Sequence, residues 1–89
     1  GYIVSDCSAP EWMVTKHKYV RDLDAAATLA IKAGLDLECG DRVYTAPLLK
    51  AYNESMVSKA DIDSAAYRVL RGRMLLGLFD DPSLKSYCL

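Results

Sequence analysis

The chain has 89 residues, 52% of them hydrophobic and 26% charged, with a formal net charge of −1 at pH 7. This balance excludes a disordered chain, offers no basic face for a nucleic acid and no polybasic stretch for a membrane, and leaves no apolar run long enough to span a bilayer. So small a domain ordinarily needs a staple or a partner to offset its conformational entropy. With no initiator methionine, no signal peptide in view and a first residue already inside a strand pattern, it is expected to be part of a larger protein.

Residues Gly1 to Ser5 read as a buried strand, because Tyr2, Ile3 and Val4 form a continuous apolar run of the kind found in parallel sheets covered on both faces. The run passes directly into Asp6 and Cys7, and a loop follows in which Pro10 opens a short helix through Trp12 and Met13. The stretch "DLDAAATLAIKAG" is the clearest helix: Asp22 and Asp24 lie at its start, Lys32 in its last turn, and Gly34 is placed to cap it. "LDLECG" then reads as a second short strand, Leu35 to about Glu38, completing a βαβ unit. Asp6 and Asp36 are thirty positions apart, so both acids are expected at the carboxyl ends of neighbouring parallel strands.

The remainder reads as helical. Pro47 opens "PLLKAYNES", and Ser58 with Asp61 forms a capping box ahead of "KADIDSAAYRVLRGRMLLG". In that helix Ile62, Ala65, Ala66, Val69, Leu70 and Met74 share an apolar face, and Gly77 ends it before "LFDDPSLKSY".

A carboxylate just beyond a rigid parallel strand faces the crevice where reactive groups gather, so Asp6 is a candidate for chemistry; alternatively it caps the helix near Pro10 or pairs with a nearby base. His17 is the only histidine and reads as a loop residue that could line a pocket. Asp36 and Glu38 stand where a ligand's polar group could be held, or serve as acceptors for backbone N–H groups. Trp12 fits either ligand stacking or core packing. With one His and neither a CxxC nor an HExxH pattern, no metal and no cofactor are expected.

Three strings, "GYIVSDC", "AIKAGLDLECG" and "VSKADIDSAAYRVLRGRMLLGLFDDP", in that order and spacing, resemble the final part of the catalytic barrel of family 3 glycoside hydrolases, the β-glucosidases and β-xylosidases. The resemblance implies an α/β fold, two terminal βα units of a TIM-type (β/α)8 barrel, with residues 1–79 the last part of the barrel domain and 80–89 the start of a linker to a following domain. It also implies that Asp6, the aspartate of the "SD" motif, is the nucleophile of a retaining, exo-acting hydrolysis. Cys7 stands where β-glucosidases of the family commonly have Trp, which points to the xylosidase branch. A Cys7–Cys39 disulfide is expected beside the site, against the alternatives of two buried thiols or a redox-active Cys7.

Carried further, the resemblance implies a substrate-lining role for Cys7, Cys39, Glu38 and His17, a carbohydrate partner (β-xylosides or β-glucosides), and an extracellular or periplasmic location. The acid/base would come from the following domain, and the remainder of the barrel from the rest of the polypeptide. Alone, the 89 residues are expected to be inactive. The competing expectation is a non-catalytic structural or interaction module derived from such a barrel.

Overall fold

The computed structural model describes residues 1–84 and residue 86. Among the described residues four α-helices follow one another, α1 (Ala9–Thr15), α2 (Leu23–Lys32), α3 (Ala46–Asn53) and α4 (Lys59–Leu75), with a 3₁₀ turn at Pro82–Leu84. Cys88 and most of the end of the expected linker lie outside the described residues.

The α/β architecture with two βα units of a barrel is not what the chain adopts. Among the described residues there is no strand and no sheet; the two segments expected to be strands meet in one isolated parallel bridge, Val4 opposite Leu37. Its two rungs are sound: Leu37 N–H donates to the Ile3 carbonyl at 3.1 Å and Ser5 N–H to the Leu37 carbonyl at 3.0 Å. The ladder stops because side chains and shifted partners occupy what would be the next rungs.

Extension beyond Leu37 requires Cys39 N–H on the Ser5 carbonyl and Cys7 N–H on the Cys39 carbonyl. Cys39 N–H instead donates to Ser5 Oγ at 3.0 Å, and the Cys39 carbonyl accepts from Ser8 N–H at 2.9 Å. At the opposite end Ile3 N–H, which a ladder would direct to the Leu35 carbonyl, donates to Asp36 Oδ2 at 3.0 Å. The Leu35 carbonyl is held by the Tyr44 hydroxyl at 2.7 Å. The apolar run that suggested a fully covered strand is in fact open to solvent, with Ile3 60% and Val4 47% exposed.

The helices follow their local signals more closely. Asp22 is the N-cap of α2, accepting from Ala25 N–H at 2.8 Å, and Gly34 closes the helix at φ 103, a conformation that favours glycine. There the Gly34 and Leu35 N–H groups return to the Ile31 and Ala30 carbonyls, the Schellman pattern. The Ser58–Asp61 capping box of α4 is complete in both directions. Helix α3 ends in the same way as α2, but its left-handed residue is Ser55, at φ 62, where a side chain is crowded.

Helix α2 is the hub. Its small residues Ala26 and Ala27 pack with Val43, while Ile31 packs with Ala51, Val57 and Ala65, so α1, α3 and the first half of α4 approach it closely. Val43 and Val57 are the largest fully buried side chains, each contributing on the order of 1.5–3 kcal/mol of burial. Of the apolar face expected on α4, Ala65 and Val69 are buried, but Leu70 and Met74 are exposed, as are Leu75 and Leu76 at its end.

Asp36 ties these parts together. Its carboxylate is buried, with Oδ2 on Ile3 N–H and Oδ1 on Arg68 Nε of α4 at 2.7 Å. Burial pushes its pKa up, but the Ile3 hydrogen bond and the hydrogen bond and charge of Arg68 outweigh this and hold it below the ordinary value. A depressed folded-state pKa stabilises the fold fully above the unfolded value of about 4 and loses that contribution as pH falls through the folded value.

Asp36→Ala, which orphans Ile3 N–H and releases Arg68, is expected to cost about 2–3 kcal/mol in denaturant unfolding at pH 7, with the gap to wild type closing below about pH 4. An equal midpoint at neutral pH would contradict this role. Ser55→Gly is expected to stabilise by about 1 kcal/mol in the same assay, by relieving the left-handed position; a loss of stability would show that the Ser55 side chain is needed.

Candidate functional site

Asp6 stands where the two paired segments part company. Before it, the Val4–Leu37 bridge holds the backbone; after it, Cys7 is joined to Cys39 by a disulfide that spans 32 positions, with Cα atoms 4.3 Å apart. The chain then turns through Ser8, at φ 66, into α1. Asp6 contributes its carbonyl to that turn, accepting from Ala9 N–H at 3.1 Å. Its carboxylate is exposed and, among the described residues, makes no hydrogen bond or ion pair. Asp6 therefore does not cap α1: the N-cap is Ser8, and no side chain serves there.

The neighbouring acids are placed differently. Glu38 is buried, and both its oxygens accept from backbone: Oε1 and Oε2 from Val43 N–H at 3.2 and 3.1 Å, and Oε2 from Tyr44 N–H at 2.6 Å. It organises the loop between Cys39 and α3, while Asp36 is committed to Ile3 and Arg68. Tyr44, which packs against the hydrophobic core, has its phenol pushed up by burial and then by the charges of Asp36 and Glu38, so it stays a protonated donor to the Leu35 carbonyl.

Glu38, Cys39, Cys7 and Asp6 are thus brought into one region by the bridge and the disulfide. His17 is not part of that arrangement: it is exposed at the far end of α1 from Asp6, its N–H on the Trp12 carbonyl at 2.9 Å. Trp12 is 45% exposed rather than a core residue, and the Lys16 ammonium lies 6.0 Å from its ring centroid. No group of His, Cys, Asp and Glu that could hold a metal occurs among the described residues. A cleft of about 340 Å³ between residues 3–13 and α2 is lined by apolar groups such as Ile3, Pro10, Met13 and Leu35, and Asp6 is not among its walls.

Ser5, Ser8 and Tyr44 were not singled out as site-forming by the sequence. The hydroxyl at the end of an apolar run was the one available sign for Ser5, since such a group competes for backbone partners.

An accessible carboxylate, held by backbone pairing on one side and a covalent staple on the other, is the type of group that glycosidases use in pairs. No family model matches the chain. Over 98% of its length it is 38% identical to beta-xylosidase/alpha-L-arabinofuranosidase 2 of Medicago sativa subsp. varia. It is 39% identical over 90% of its length to beta-D-xylosidase 1 of Arabidopsis thaliana, and 37% over 92% to xylan 1,4-beta-xylosidase of Xylanibacter ruminicola. The chain is thus similar, over nearly its whole length, to a segment of proteins named β-xylosidases, in keeping with its resemblance to glycoside hydrolases of the family 3 type. It spans about a tenth of the length of these relatives.

Peptide mapping of the unreduced protein is expected to recover the Cys7 and Cys39 peptides linked. Reduction is expected to lower stability by roughly 3–4 kcal/mol, the chain-entropy value for a loop of this length. Quantitative alkylation of both cysteines without reductant would contradict the pairing.

Proposed function

We propose that these residues provide the nucleophile of a retaining β-glycosidase acting on β-xylosides, with Asp6 as the attacking carboxylate. The observation that carries this reading is the Asp6 side chain itself: exposed, without a partner among the described residues, and fixed between the Val4–Leu37 bridge and the Cys7–Cys39 bond. It is supported by the β-xylosidase names of the relatives.

In such a reaction Asp6 attacks the anomeric carbon as the leaving oxygen is protonated, and water then opens the resulting glycosyl ester. The second carboxyl group, roughly 5 Å from the first in a retaining enzyme, comes from outside these 89 residues by the family resemblance, and the neighbouring Asp36 and Glu38 are spent on backbone and Arg68 contacts. The chain accordingly works within a longer polypeptide acting on extracellular carbohydrate. Cys7 and Cys39 border the sugar, and Glu38 holds the loop that follows Cys39. A small disulfide in place of a large ring leaves substrate choice to the fit of a pentose lacking the hydroxymethyl group of glucose.

The second reading, a non-catalytic interaction module, has one observation in its favour: the exposed apolar surface of Tyr67, Leu70, Met74 and Leu75 on α4. The two differ in what Asp6 does.

In the full-length polypeptide that carries this chain, Asp6→Asn is expected to lower kcat on a nitrophenyl β-xyloside by on the order of 10³-fold or more while the fold is retained, because an amide matches the carboxylate in shape but not as a nucleophile. Wild-type kcat/KM is expected to favour the β-xyloside over the β-glucoside by roughly 10- to 200-fold. Undiminished turnover by Asp6→Asn would exclude the nucleophile reading, and equal kcat/KM values would exclude the pentoside preference.

A further inference from the structure

We propose that Ser5 is a positioning residue for Asp6, an inference that rests on the reading of Asp6 as the nucleophile. Partners across a parallel bridge carry their side chains on the same face, and successive residues alternate faces. Val4 is opposite Leu37, so an unbroken ladder would set Asp6 opposite Cys39 on that face and turn Cys7 to the other. The Cys7–Cys39 bond is incompatible with that register.

The chain slips by one residue between Ser5 and Ser8. The Cys39 carbonyl accepts from Ser8 N–H rather than from Cys7 N–H, the count of a bulge in which one extra residue is accommodated on one side. Ser5 Oγ makes the slip possible. By accepting from Cys39 N–H at 3.0 Å it satisfies the donor that would otherwise seek the Ser5 carbonyl, while Ser5 N–H remains on the Leu37 carbonyl at 3.0 Å. The Ser5 carbonyl is thereby left out of the pairing, Cys7 reaches Cys39, and Asp6 leaves the ladder with its carboxylate exposed. Without the hydroxyl, Cys39 N–H either stays unpaired or draws the Ser5 carbonyl into the ladder, and each outcome displaces Asp6 from its present place.

The test uses the full-length polypeptide and a nitrophenyl β-xyloside. Ser5→Ala is expected to lower kcat about tenfold with KM within about twofold of wild type, and Ser5→Thr, which keeps the hydroxyl, to restore kcat to within about threefold. A purely structural role would lower the melting temperature of Ser5→Ala and leave the kcat of the folded protein unchanged; that result overturns the proposal. Equal losses in the Ala and Thr variants overturn it too, since they show only that the position tolerates no change. Should Ser5→Ala fail to fold, Ser5→Cys takes its place, with the Cys7–Cys39 bond verified by peptide mapping: sulfur is a weaker acceptor, and an unchanged kcat again overturns the proposal. Failure of the underlying reading is separately visible, because an active Asp6→Asn variant removes the nucleophile assignment whatever Ser5 does.

Discussion

The structure depends on one parallel bridge between Val4 and Leu37 and on the two side chains that prevent it from growing. Asp36 takes the Ile3 N–H at one end and carries the contact on to Arg68 of α4; Ser5 takes the Cys39 N–H at the other. A single bridge contributes few hydrogen bonds, yet it joins the first residues of the chain to the segment that leaves α2. Everything at the candidate site follows from where that pairing ends: the exposure of Asp6, the approach of Cys7 to Cys39, and the turn into α1.

The staple and the buried acids complement the small core. The interior around α2 is built largely of alanine and valine, which allows close helix packing but buries little area per residue. Cross-links between distant segments offset that shortfall: the disulfide spans 32 positions, and Asp36 and Glu38 organise backbone groups that a larger sheet would pair for itself. The exposure of Ile3, Val4, Leu70 and Met74 shows which apolar surface these interactions leave uncovered.

Legibility in the sequence divided along local and non-local lines. The caps of α2 and α4 were readable because Asp22, Gly34, Ser58 and Asp61 act within three or four residues of where they stand. The strands were misread because a short apolar run signals extended backbone but not the partner needed for a ladder, and the groups that stopped this ladder, Ser5 and Asp36, act across more than thirty positions. Asp6 was legible as a candidate through its place at the end of the run and through the "SD" motif, and its role as nucleophile is a proposal. The commitment of Glu38 to the Val43 and Tyr44 amides was not, because sequence position alone does not tell a backbone acceptor from a ligand contact.

In the proposed reaction Asp6, released from the bridge and fixed by the disulfide, is the group that bonds to the sugar. That role is tested most directly by trapping the glycosyl intermediate of the full-length polypeptide with a 2-fluorinated β-xyloside bearing a good leaving group, and locating the ester by peptide sequencing in a mass spectrometer. A single pentosyl adduct on the carboxylate of Asp6 is expected; an adduct on any other residue, with Asp6 unmodified, would contradict its role as nucleophile.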